Sequence, residues 1–361
     1  MKRKKKTKKK KSTYNTKLKK AVDKSFNQFM INQLEQQKWE ENYGRVKRVI
    51  SAKHDADRIT AVGSKLIGTS EQETFHDFLR ANTVTLFSNT WFQNQFSKNL
   101  ANQHPIAYWY NATYNEQEKI PPNKDGLIEL IPIGKVAAFM SLSYDLYTIE
   151  HNHKLQKRII DRLKNPDQFP GARYELFAAA TCVRIGLKID FEDESDPDQK
   201  HVEFIVTSNL TGEKFAVEAK SKFRGNVDSI NSDITNIKVG KLSRLINTGL
   251  EKNPGLPLII FVDVNLPPRQ ASKIIGGEDS FKTLVKHTKT LKKDENGKDI
   301  FNIIVFTNHP HHYGRNEEPD PEKHSAMCIS PIPKYPIRDD VIIDELFKAV
   351  SLYGKIPKDF S

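Results

Sequence analysis

Apolar positions along this chain follow two patterns, which change over near residue 165. Before that point they recur three or four residues apart, the spacing of helices with one buried face. Leu18, Val22, Phe26, Phe29, Met30 and Leu34 form one such stripe within Lys17 to Ser51. Phe75, Phe78, Leu79, Leu86, Phe87, Trp91, Phe92 and Phe96 form a second. It opens at Ser70 with Glu73 three residues on, the spacing of a capping box. Prolines in 103–110 and 119–126 interrupt the pattern and predict a connector. Helix resumes from about Lys135 through Val136, Phe139, Met140, Tyr144 and Tyr147, then through Leu155, Ile159, Ile160 and Leu163, and Asn165-Pro166-Asp167 ends it. Residues 14–165 are thus expected to form a mainly helical domain. Its aromatics read as core, because a base-stacking role needs them exposed.

From residue 166 helices alternate with strands. Gly171 to Gly186 is rich in alanine, lacks an internal proline and ends in a glycine suited to the left-handed position after a helix. Strand alternation follows in His201–Val206 and Lys214–Lys220, separated by the polar, glycine-containing turn Ser208–Glu213. Asp233 to Lys252 reads as a helix with Ile234, Ile237, Leu245, Ile246 and Leu250 inward. Leu256–Val264 and Asp299–Phe306 are continuous apolar runs, as in strands buried on both faces. Further helices are predicted between Asp279 and Lys293 and from Asp339 to Tyr353. The expected fold of residues 166–361 is α/β, a mixed sheet flanked by helices.

Candidate chemistry sits inside this second region. If the hairpin is symmetric about Leu210 and Thr211, Glu203 lies directly opposite Glu218, with Lys220 on the same face and Val202, Phe204 and Val206 on the other. Like charges so placed destabilise a sheet by roughly 0.2–1 kcal/mol. Such a pair is either left in water or given a cation. On the preceding helix Glu175 shares a face with Ala178, Ala179, Cys182 and Gly186, small residues that allow close approach to a sheet. Three carboxylates and one amine are therefore expected at one spot. Magnesium takes hard oxygen ligands, commonly one or two carboxylates with water and substrate phosphate, and the Ala219 carbonyl could add one more. The chemistry this points to is metal-assisted phosphodiester hydrolysis.

The order of helix glutamate, acidic residue on one strand and Glu-x-Lys on the next resembles the PD-(D/E)xK, or restriction-endonuclease-like, nuclease superfamily over roughly residues 169 to 265. The resemblance implies Glu175, Glu203, Glu218 and Lys220 as catalytic residues, the three glutamates as ligands of magnesium or its substitute manganese, and nucleic acid, DNA foremost, as substrate. The first acid in the family is usually aspartate, where this chain has Glu203. Pro197-Asp198 lies just upstream, and a shifted pairing would make Asp198 the first-strand acid instead. The alternative function is a degenerate module that binds nucleic acid or a protein without cleaving.

Charge narrows the picture. The chain of 361 residues has a formal charge of +12, but twelve of its 57 basic residues fall within residues 1 to 20 without one acid. The rest holds 45 basic and 45 acidic residues and is neutral. Residues 1–13 are expected to be a disordered polybasic tail able to grip phosphates. Lys238, Lys241 and Arg244 are candidates for contact with a nucleic-acid backbone. Only Cys182 and Cys328 are present, with no metal-finger or disulfide spacing. No long apolar run predicts a membrane span. A cytoplasmic protein, with homo-oligomer or complex formation through the helical half, completes the expectation. His309-Pro-His-His312 reads as a turn after a strand more readily than as a metal site.

Overall fold

The structure is a computed structural model that describes residues 3–71, 73–124, 126–191, 201–221, 240–252, 254–265, 284–286, 288–309, 312, 314 and 325–360, with residues 3–21 and 241 described by backbone alone. The chain opens with helix α1 (Arg3–Tyr43) and an antiparallel sheet of β1 (Ile50–His54), β2 (Asp57–Val62) and β3 (Lys65–Ser70). Helices α2 (Phe75–Phe87), α3 (Asn89–Phe96), α4 (Pro105–Gln117), α5 (Gly134–Asn152), α6 (Lys157–Lys164) and α7 (Phe169–Arg184) follow. The remainder comprises β4 (Leu187–Phe191), β5 (Phe204–Ser208), β6 (Lys214–Ser221), α8 (Gly240–Leu250), β7 (Leu258–Asp263), β8 (Ile303–Thr307), β9 (Ser325–Ile329) and α9 (Val341–Ser351). The molecule is a mixed α/β structure with one six-stranded and one three-stranded sheet among the described residues.

Four expectations for the first half are corrected, the first being the connector predicted at 103–110, where Pro105 instead opens helix α4 at a position that needs no backbone N–H. The backbone is helical from Arg3, where a disordered tail was expected; lysine is a good helix former, and no glycine or proline interrupts the chain before Gly44. The stretch after α1 forms three strands in a half expected to be mainly helical. Among the residues of β1 to β3 only Thr60 and Val62 are buried, so alternation leaves almost no trace in the sequence. The turn into β3 depends on Gly63 at φ +58, where an added Cβ would stand 2.6 Å from the Glu150 carbonyl oxygen. Ser70 ends β3, and the capping box lies four residues later: Thr74 Oγ1 accepts from the Asp77 N–H at 3.3 Å, and Asp77 Oδ2 accepts from the Thr74 N–H at 2.9 Å.

The six-stranded sheet runs β4-β5-β6-β7-β8-β9. Pairs β4/β5, β5/β6 and β8/β9 are antiparallel, while β6/β7 and β7/β8 are parallel. Phe204, Val206, Phe215, Val217, Ile259, Phe261, Ile303 and Val305 face α7 and the helices before it. Ala216, Leu258, Ile260, Ile304 and Phe306 face α8, whose Leu242, Ile246 and Leu250 cover them. Both faces are covered, which is why β7 and β8 are apolar without alternation. Helix α7 ends at Arg184, with Gly186 at φ +79 in the left-handed position its sequence predicted.

Residue 165 marks no break in the core. One apolar cluster runs from Phe75 and Phe78 through α5 and α7 to Phe261 and Val305 in the sheet. A buried ionic network crosses the same boundary: Asp145 on α5 accepts from Arg173 at 3.0 Å and from Arg184 at 2.9 Å, and Arg173 also donates to the Tyr353 hydroxyl at 2.7 Å. Among the described residues no helix is long and apolar enough to cross a membrane.

Candidate functional site

The β5–β6 hairpin positions the acids. Its turn is closed by Ser208 N–H donating to the Glu213 carbonyl and by Gly212 at φ +71. The register pairs Phe204 with Val217, Val206 with Phe215 and Thr207 with Lys214, the symmetry about Leu210 and Thr211 that the sequence predicts. Glu203 lies one residue before β5 begins, and its N–H donates to the Val217 carbonyl at 3.2 Å. The chain bends there, so Val202 is buried on the α8 side and not with Phe204 and Val206 as alternation predicts.

Glu218 is fully buried on the α8 face of β6. Its Oε1 is in ion-pair contact with Lys220, two residues along the same face, and its Oε2 lies 2.9 Å from the Lys252 ammonium. Glu203 Oε1 is 3.9 Å from each of the same two ammonium groups. Two acids and two amines thus form one compact, charge-balanced cluster. Its lid is the last turn of α8: a Cβ on Gly249 would stand 3.1 Å from Glu218 Cγ, so a glycine there lets the helix lie directly on the carboxylate stem. Burial raises the Glu218 pKa, and the Glu203 charge raises it further; Lys220 and Lys252 pull it down. The carboxylate is held in a place where ionisation depends on its cations.

The structure separates Glu175 from this cluster. Helix α7 packs on the opposite face of the sheet, as its Phe177–Phe261 ring contact shows. Glu175 is buried there and pairs with Arg162 of α6 at 2.5 Å. The small residues beside it indeed admit close packing, but on the layer away from Glu218 and Lys220. Helical periodicity places a residue on a face of its helix and says nothing of which side of the sheet that helix will cover. Among the described residues no group of three or more His, Cys, Asp or Glu could hold a metal ion. What remains for a cation is the pair Glu203 and Glu218, within the one or two carboxylates magnesium takes from a protein.

Other candidates fall as follows. Arg244 is exposed on α8, the helix covering the cluster; Lys241 is on that helix with its side chain not described, and Lys238 and Asp198 lie outside the described residues. His309 and His312 are buried against Phe177 and Tyr353, and His312 Nε2 is 2.7 Å from the Tyr353 hydroxyl, which makes them part of the core. A cavity of about 220 Å³ lies at the other end of the sheet, by the β5–β6 turn, lined by Arg45, Leu210, Ile342 and Glu345, and touches none of these acids. Sequence reasoning missed Lys252. The available signal was Gly249, a glycine inside a helix, which often marks close backbone approach. No family model, curated protein or solved structure matches this chain.

Proposed function

We propose that this chain is a metal-dependent nuclease of the restriction-endonuclease-like, PD-(D/E)xK, kind, acting on DNA. The observation that supports it is the meeting of Glu203, Glu218 and Lys220 at adjoining strands of a mixed sheet with helices on both faces. In this reading Glu203 and Glu218 hold magnesium, or manganese in its place, with water and substrate phosphate completing its shell. The ion, when bound, supplies Lewis-acid polarisation of the phosphate and an activated water. Lys220 orients that water or balances charge on the phosphorane. Lys252 lies against the same two acids and adds a second positive charge beside Lys220. Arg244, on the outer face of α8, contributes a backbone phosphate contact. Glu175 has no catalytic part here; its place is structural, with Arg162.

Cleavage of supercoiled plasmid, single-stranded oligonucleotide and RNA with magnesium, manganese or EDTA tests the reading. Cutting that needs the metal supports it, and undiminished cutting in excess EDTA overturns it. A second reading has support of its own in Lys252, which already balances the acid pair. This is a nuclease-like module that binds nucleic acid without cutting, and metal-independent retention of DNA with no cleavage of any of the three substrates would favour it.

A further inference from the structure

Helix α1 carries an apolar stripe that no described residue covers. Every residue from 22 to 35 is exposed, and within that span Val22, Phe26, Phe29, Met30, Ile31 and Leu34 are each between 43% and 60% accessible. All but Ile31 lie on one side of the helix by its 3.6-residue period. Among the described residues the helix meets the body from Glu35 onward, where Glu35 accepts from Arg48 at 3.1 Å and buried Trp39 donates its ring N–H to the Val46 carbonyl at 3.0 Å. A solvated helical stretch has little stability of its own, since most helical stability comes from packing an amphipathic face. Exposed singly, such residues need no explanation; six in three and a half turns form a patch.

The charges around the patch say what fits it. Residues 25–34 hold no charge in a chain of which 28% is charged. Lys17, Lys19, Lys20 and Lys24 precede this segment, relieved only by Asp23; Glu35, Glu40 and Glu41 follow it, relieved only by Lys38. Such a segment complements itself when reversed. We propose that α1 pairs antiparallel with α1 of a second copy, centred on Met30, with Phe26 meeting Leu34 and the basic end of each helix beside the acidic end of the other. A parallel pair would set twelve basic residues against twelve. An anionic membrane would attract the lysines but repel the acidic end, and Asn27, Gln28, Asn32 and Gln33 would have to share its interface. The uncharged amides instead suit a helix pair, where they can bond across the seam.

Sedimentation velocity of the full chain over a concentration series reads the outcome, because a dimer has twice the 41.4 kDa chain mass. The double variant Phe26→Ser/Phe29→Ser is expected to be monomeric with an unchanged melting temperature, since both side chains lie outside the body's core. Orientation is read by thiol cross-linking, in which Cys182 and Cys328 stay silent because they are buried. Met30→Cys should cross-link to itself, and Gln37→Cys, far from its mate in an antiparallel pair, should not. Three results overturn the proposal: a monomer at every concentration, cross-linking of Gln37→Cys as efficient as that of Met30→Cys, or a monomer that instead binds vesicles containing phosphatidylserine.

Discussion

Glu218 is the residue on which the proposed chemistry turns, and its surroundings make two substitutions informative. It is buried beneath Gly249, raised in pKa by that burial and by Glu203, and kept within reach of ionisation by Lys220 and Lys252. Lys220→Met is expected to lower cleavage by about 10²-fold or more, the loss of one transition-state charge contact, while circular dichroism stays unchanged. Glu175→Gln should do the reverse. It weakens a charge-assisted bond to Arg162 in the other layer, so the melting temperature falls by the equivalent of roughly 1–3 kcal/mol while cleavage holds. A fall in cleavage at unchanged stability would return Glu175 to the site. At this scale the sequence was legible where a short-range rule decides: hairpin symmetry predicted the pairing of Phe204 with Val217, which leaves Glu203 and Glu218 beside the same two lysines. It was not legible where layers decide, as with Glu175, or where a distant helix end delivers a group, as with Lys252.

At the scale of elements, helix ends carry the testable energetics. His104 caps α4 through its imidazole, with Nδ1 accepting from the Ile106 N–H at 3.3 Å. Burial lowers its pKa from the ordinary 6.5 to about 4, with the Lys98 charge adding to the effect. The unfolded chain therefore takes up a proton at a pH where the folded one does not. The contribution is fully present above pH 6.5 and is lost as pH falls toward 4, by up to roughly 3 kcal/mol. Denaturant melts at neutral pH and at pH 5 should show this loss in the wild type and a smaller one in His104→Asn, which keeps a capping acceptor. An equal loss in both would remove His104 from the account. Elements with continuous apolar runs or clear 3.6 periodicity, such as β7, β8 and α7, were predicted close to where they occur, whereas the single helix expected from Ser70 through Phe96 is split at Ser88 into α2 and α3. The sheet of β1 to β3 was not, because it buries too few side chains to leave an alternating pattern, and β4 and β9 escaped notice as short strands at the sheet's two edges.

The whole molecule is organised as a six-stranded sheet clad by α8 on one face and by α7 and the earlier helices on the other. Its two halves are locked by Asp145 between Arg173 and Arg184, all three buried. Asp145→Ala leaves two buried guanidinium groups without their carboxylate and is expected to cost roughly 3–5 kcal/mol in a single cooperative transition. Separate melting of residues before and after 165 would mean that the halves are independent. The cladding also gives the acid pair its character, since α8 withdraws Glu218 from water and sets Lys252 against it. The central claim is that Glu203 and Glu218 act together, through a bound cation, in hydrolysis. Single-turnover cleavage of duplex DNA in magnesium by Glu203→Gln, Glu218→Gln and the double variant tests it most directly. Each single variant should lose about as much activity as the double, because residues that act as a unit are not additive. Cleavage by Glu218→Gln at the wild-type rate would contradict the claim.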